Sequence, residues 1–132
     1  MFGEDRSPSA TSDYLDTAPE ALFRAIGRSQ KYGVAPIWMN QVGRGGGAGP
    51  MTWLGRQVCG WCWMHDTSVE LHTSPRGRPL QQLRVLWGIA ADDVTYHPYW
   101  KQRMVRTGDA DFIVSVWRRP KTALLQVFNL SK

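Results

Sequence analysis

Two short apolar runs constrain this chain more than any other feature: Val34-Ala35-Pro36-Ile37-Trp38-Met39-Asn40-Gln41-Val42, and the stretch from Gln57 to Met64. Each has the length of a strand and few polar interruptions, the pattern of a strand covered on both faces, as in a parallel sheet. Between them stands Gly43-Arg44-Gly45-Gly46-Gly47-Ala48-Gly49-Pro50, whose glycines leave the backbone almost unrestricted, so a loose loop is expected there. With 132 residues the chain has room for one modest domain, which would bury roughly two-thirds of its unfolded surface.

Helical signals flank these runs. Thr17-Ala18-Pro19-Glu20 offers a capping hydroxyl, a proline in the first turn and a glutamate three residues after the threonine. Leu22, Phe23, Ile26 and Tyr32 follow at helical spacing, and Gly33 is placed to stop the element, so a helix is predicted over 17–32. Residues 1–16 are polar and rich in breakers, and read as a loop. From Arg78 to Ala91, Leu80, Leu83, Leu86 or Trp87, and Ala90 recur every three or four residues after Ser74-Pro75, which predicts a second helix.

Beyond Asp93 the periodicity changes. Phe112, Val114 and Val116 alternate with Ile113, Ser115 and Trp117, and Arg119-Pro120-Lys121-Thr122 turns the chain into Ala123 to Leu130, an antiparallel hairpin. An isolated hairpin is marginal in water, and one or two helix–strand units cannot close a parallel sheet. The expectation is therefore an α/β chain with unsatisfied apolar faces, cut at both ends. Its segments are a polar loop over 1–16, helix–strand units over 17–92 and a β segment over 93–132.

The seven tryptophans suit either a core or an aromatic platform for sugar or base faces. The net charge of +5 comes from Lys and Arg scattered from Arg6 to Lys132 with no block of like charge, which argues against a nucleic-acid partner. No run approaches the roughly 18 apolar residues of a membrane span, and Met1 to Ser12 has no signal-like apolar stretch. The compartment stays open.

Cys59-Gly60-Trp61-Cys62 has the spacing of redox and zinc sites, with His65 and His72 nearby. On a strand, however, side chains alternate, so Cys59 and Cys62 would face opposite ways and share no metal. Buried structural cysteines, with no metal and no cofactor, are the expectation. The glycine-rich loop lacks the Gly-Lys-Ser/Thr that holds phosphate and magnesium.

The same alternation puts Cys59, Trp61, Trp63 and His65 on one face and sets His65 and Asp66 at the C-terminal end of their strand, where α/β barrels gather active-site groups. Asn40 and Arg44 hold the equivalent place after the first strand, with Trp38 on the side of Asn40. Trp38, Asn40, Arg44, Trp61, Trp63, His65 and Asp66 thus form a candidate sugar-binding rim of aromatic, amide, guanidinium and carboxylate groups. The plainer alternative is a pair of ordinary strand ends. Asp66 and Glu70 are the local carboxylate pair, a spacing with no specificity for glycoside hydrolysis.

Gly55-Arg56-Gln57, the run from Cys59 to Asp66, Asp93-Val94-Thr95-Tyr96-His97-Pro98-Tyr99-Trp100, Val114 to Pro120 and Leu124 to Leu130 together resemble the tail of large bacterial proteins similar to glycoside hydrolase family 123, over most of residues 17–132. The resemblance implies the last helix–strand units of a (β/α) barrel, a junction at Tyr99-Trp100, and an antiparallel β-hairpin from a truncated β-sandwich. It further implies an N-acetylated amino sugar as ligand, the remainder of the parent chain as partner, and cleavage through an adjacent Asp-Glu pair. This sequence has no Asp-Glu dipeptide: Glu4-Asp5 has the reverse order and Asp92-Asp93 ends a predicted helix. No catalytic residue is therefore assigned, and the chain alone is expected to be inactive. The alternative is a self-standing carbohydrate-binding or interaction module built on a tryptophan platform.

Overall fold

In the computed structural model the described residues are 2–5, 20–26, 37–40, 59–69 and 78–131. The chain forms two compact units, Met1–Pro79 and Leu80–Lys132.

The first unit alternates strand and helix: β1 (Phe2–Asp5), α1 (Glu20–Ile26), β2 (Ile37–Asn40), the helix α2 over 59–64, and β3 (Ser68–Val69). Its three strands are parallel in the order β1-β2-β3, with Phe2 beside Trp38, Ile37 beside Ser68 and Trp38 beside Val69. Parallel neighbours need a crossover between them, and α1 and α2 lie in those two connections. Of the strand expected over 34–42, Ile37–Asn40 is described and is the central strand, although Ile37 is exposed.

Two expectations fail in this unit. Within the loop expected over 1–16, Phe2–Asp5 forms β1, because its backbone pairs with β2 whatever its side chains lack in hydrophobicity, and residues 6–16 lie outside the described residues. The run to Met64 is a helix over 59–64, not a strand. A short apolar run is compatible with either state when both are buried. Here Cys59, Trp61, Cys62, Trp63 and Met64 are all buried, so no polar periodicity distinguishes the two. Of the helix predicted over 17–32, only Glu20–Ile26 is described; the glycine-rich segment 43–50 lies outside the described residues.

The second unit begins in α3 (Arg78–Trp87) and continues into β4 (Thr95–His97), β5 (Phe112–Arg118) and β6 (Ala123–Asn129), an antiparallel sheet in the order β4-β5-β6. The predicted hairpin is there, with Ile113 opposite Phe128, Ser115 opposite Gln126 and Trp117 opposite Leu124. β4 adds a third strand that the sequence reading did not anticipate, pairing Tyr96 with Trp117. Their rings meet at 5.0 Å, a cross-strand aromatic pair that helps pin the register. The middle of β5, Val114 to Trp117, is the buried centre of the unit.

β4 pairs only with the far end of β5, so the segment after Trp100 covers the rest of that edge. Gln102 Nε2 donates to Val114 O at 3.3 Å, and Thr107 Oγ1 donates to Phe112 O at 2.8 Å. Tyr99 N donates to Ser115 Oγ at 3.2 Å, a hydroxyl that is fully buried.

α3 ends earlier than predicted, at Trp87 rather than Ala91. Gly88 takes φ +82°, its N–H bonds Val85 O at 2.9 Å, and Ile89 N bonds Arg84 O at 3.1 Å. These two bonds form a Schellman termination, which needs a left-handed residue that glycine adopts without steric cost. The face that this helix buries is not its leucine stripe. Leu80, Leu83 and Leu86 are 53%, 59% and 83% exposed, while Arg84, at 8%, occupies the buried face.

Candidate functional site

The first unit draws part of the predicted site together. α2 runs into a tight turn in which His65 N and Thr67 N both reach Cys62 O, at 3.1 and 3.0 Å, and Asp66 N reaches Trp63 O at 3.0 Å. Asp66 makes this turn with φ +57°, a conformation that Asp tolerates better than most residues. His65 Nδ1 lies 2.9 Å from Trp61 O. A carbonyl only accepts, so Nδ1 carries the hydrogen and the imidazole is fixed in orientation.

Aromatic rings enclose this histidine. Trp61 stands edge-on to His65 at 4.7 Å, Phe23 of α1 lies 5.3 Å from it, and Phe23 and Trp61 meet edge-to-face at 6.0 Å. Phe23 and His65 are fully buried, and Trp61 and Trp63 are each 2% exposed. The group is a packed junction between α1 and α2. In this conformation Trp61, Trp63 and His65 present no stacking surface to a sugar, and Asp66 is half-buried in the turn.

Strand direction separates the remaining candidates. Because β2 and β3 are parallel with Ile37 beside Ser68, the residues before Ser68 lie at the N-terminal end of the sheet. Asn40 closes β2 at the C-terminal end. His65 and Asp66 precede β3, so they sit at the opposite end from Asn40, and the single rim that alternation predicted is divided. The cause is the helix over 59–64: it places His65 and Asp66 before a strand rather than at the end of one. Trp38 and Asn40 are on β2, where the backbone alone is described; Arg44, Glu70 and His72 lie outside the described residues.

The same helix reverses the argument about the cysteines. Three residues apart on a helix, Cys59 and Cys62 lie on one side rather than on opposite faces. They are thiols, not a disulfide, at 1% and 0% exposure. Burial pushes the Cys62 thiol well above its ordinary range, and the neighbouring Cys59 adds to the effect. A thiol held protonated in this way is a poor nucleophile and a poor metal ligand. Among the described residues no three His, Cys, Asp or Glu side chains converge as a metal site.

The second unit carries a cleft of about 380 Å³ between the 99–107 segment and the start of β5, lined by Tyr99, Gln102, Val105, Arg106, Thr107 and Phe112 among others. Two of its polar side chains, Gln102 and Thr107, are engaged with backbone. Gln102 Oε1 accepts from Val105 N at 3.0 Å while its Nε2 donates to Val105 O at 2.9 Å. The arrangement holds the strap of chain against β5 and offers no paired acid and base.

Arg84 and Arg119 are the residues that sequence reasoning passed over. Arg84 bonds Gln126 and lies over Trp117. Arg119 Nε bonds Asp93 Oδ2 at 3.0 Å, its Nη1 reaches Trp87 O at 3.2 Å, and its guanidinium is 5.8 Å from the Trp87 ring centroid. Arg119 thereby caps the negative C-terminal end of α3. The signal available in the sequence was a cation in the turn after β5, but nothing there named its partners. No family profile, curated protein or solved structure matches this chain.

Proposed function

We propose that the chain is a non-catalytic segment of a carbohydrate-active protein similar to glycoside hydrolase family 123, built from the end of a (β/α) barrel and the start of a β-sandwich, and that α3 docks it to the remainder of that protein. The observation that carries the reading is the orientation of α3: Leu80, Leu83, Val85 and Leu86 are all more than half exposed, although they are the residues that a helix ordinarily buries. The succession of parallel β1, β2 and β3 with intervening helices is compatible with a piece of barrel, and Tyr99-Trp100, which the resemblance takes as a junction, stands between β4 and the β5–β6 hairpin of the antiparallel sheet. Recognition of an N-acetylated amino sugar would fall to Trp38, Asn40 and Arg44, with His65 and Asp66 forming the turn before β3 at the other end of the sheet.

A self-standing tryptophan platform is less well supported. Trp61, Trp63 and Trp117 are buried, Trp87 lies beneath Arg119, and Trp100 packs edge-on against Tyr99 at 4.8 Å.

The test begins with the upstream coding sequence, where the proposal expects in-frame barrel strands and an Asp-Glu pair. Co-expressed as a separate polypeptide, that upstream part should bind this chain, and Leu86→Glu should abolish the association while leaving the fold of the chain alone unchanged. N-acetylgalactosamine should then bind the pair and not the isolated chain. An upstream frame without barrel strands, or equal sugar affinity of the chain alone, would overturn the proposal.

A further inference from the structure

We infer that β6 is a self-complementary edge through which two copies of this chain associate, joining their sheets into one in the order β4-β5-β6-β6-β5-β4. The hydrogen-bond phase of the hairpin sets the geometry. Arg119 N bonds Thr122 O at 2.8 Å before the paired region, and Leu130 N bonds Asp111 O at 2.7 Å after it. Bonded and non-bonded pairs alternate along an antiparallel ladder. The register from Arg118 opposite Ala123 to Phe112 opposite Asn129 therefore directs the backbone groups of Leu124, Gln126 and Phe128 toward β5. Those of Ala123, Leu125, Val127 and Asn129 point outward.

Among the described residues β6 is the last strand of its sheet, and its seven residues pair with β5 without a bulge. Ala123-Leu124-Leu125-Gln126-Val127-Phe128-Asn129 contains no charge and no proline, the usual devices that keep an exposed edge from pairing with another chain. A second copy laid antiparallel about Gln126 sets Leu125 opposite the other copy's Val127 and Ala123 opposite its Asn129. All of these are outward-directed residues, so both strands present donors and acceptors in phase, for about eight backbone hydrogen bonds. The two-fold relation is satisfied because each contact recurs in reverse.

The side chains of the outward residues share one face of the sheet. There Leu125 is 50% and Val127 57% exposed, with Phe112 at 38% beside them. Pairing would bring two copies of this apolar row together and cover part of it.

Charge favours the same orientation. At the turn end of the hairpin stand the exposed Arg118 and Lys121; at the other end stand the exposed Asp109 and Asp111, the latter joined to Leu130 directly after β6. An antiparallel partner sets the basic end of one copy beside the acidic end of the other, whereas a parallel partner would oppose like charges.

Sedimentation velocity of the whole chain, kept reduced so that no cysteine cross-link contributes, tests the inference. The expected result is a concentration-dependent monomer–dimer equilibrium. Leu125→Lys should leave the protein monomeric with unchanged circular dichroism. Lys121→Asp should weaken the dimer, and adding Asp111→Lys should restore it; these positions lie outside both strands and keep the test open if Leu125→Lys misfolds. A wild-type chain that is monomeric at every concentration, or a dimer indifferent to Leu125→Lys and to the charge exchange, overturns it. So does a dimer dissociated by Leu86→Glu alone, since that would assign the association to α3.

Discussion

The guanidinium of Arg84 lies 4.6 Å from the centroid of the Trp117 ring, and its Nη1 donates a 2.8 Å hydrogen bond to Gln126 Oε1. Arg84 comes from α3, Trp117 from β5 and Gln126 from β6, so one cation joins the helix to two strands of the sheet. Trp117 and Gln126 lie on the same sheet face, since Trp117 pairs with Leu124 and Ser115 with Gln126. A desolvated cation over an indole contributes about 2 kcal/mol, and a hydrogen bond from a charged donor about 1.5–3 kcal/mol.

Arg84→Ala is accordingly expected to lower the stability of the Leu80–Lys132 unit by about 2–4 kcal/mol, read from urea unfolding followed by tryptophan fluorescence. Arg84→Met keeps the aliphatic stem and loses the donor. Combined with Gln126→Ala, it should give a coupling energy of about 1–2 kcal/mol. Strict additivity of the two changes would show that the bond contributes nothing.

Gly88 and Gly108 are expected to respond in opposite directions to alanine. Gly88 has φ +82°, and a Cβ there would approach Arg119 Nη1 to 3.1 Å. Gly88→Ala should cost about 1–2 kcal/mol, mostly for the left-handed backbone. At Gly108 an added Cβ meets nothing within 4 Å, so Gly108→Ala should be neutral or stabilising by up to about 1 kcal/mol through the unfolded chain. Thermal unfolding of the two variants checks the contrast.

Leucines and aromatic residues should separate by exposure rather than by hydrophobicity. Trp61, at 2% exposure, is expected to cost about 3–5 kcal/mol on replacement by alanine. Leu83 is 59% exposed, and Leu83→Ala should change the stability of the isolated chain by less than about 0.5 kcal/mol. A large loss at Leu83 would mean that α3 buries its stripe in solution.

The buried thiol predicts an alkaline loss of stability. Desolvation holds the Cys62 proton in the folded chain above the ordinary thiol range, while the unfolded chain releases it near pH 8.5. The folded state then binds more protons than the unfolded state. Stability is fully present below that pH and falls by about 1.4 kcal/mol per pH unit above it, until the folded thiol also ionises. Chemical unfolding between pH 7 and pH 10 should show the decline, and Cys62→Ala should remove that part of it.

Much of the second unit was legible from the residues. The alternation of Phe112 to Trp117 and the Arg-Pro-Lys-Thr turn located the hairpin, because a half-buried strand writes its faces into a period of two. β4 was not legible, since Thr95-Tyr96-His97 is too short to show a period and is held by Trp117 and its neighbours across the ladder. In the first unit the strand at Ile37–Asn40 was legible, whereas the run from Cys59 to Met64 carried no periodicity that separates helix from strand. Every conclusion drawn from alternation there, including opposed cysteines and a common rim for Asn40 and His65, changed with that one assignment.

By itself the sequence determined the local elements that announce themselves by period or by punctuation: the hairpin, the central strand of the parallel sheet, and helices at Glu20 and Arg78. It also determined that no Asp-Glu dipeptide is present. Only the tertiary structure decided which face of α3 is buried, because hydrophobicity favoured the leucines while the Arg84 contacts with Trp117 and Gln126, and the Gly88 termination against Arg119, favoured the other side. Strand direction likewise decided which end of the parallel sheet His65 and Asp66 occupy, a matter of pairing between distant segments that no local pattern encodes.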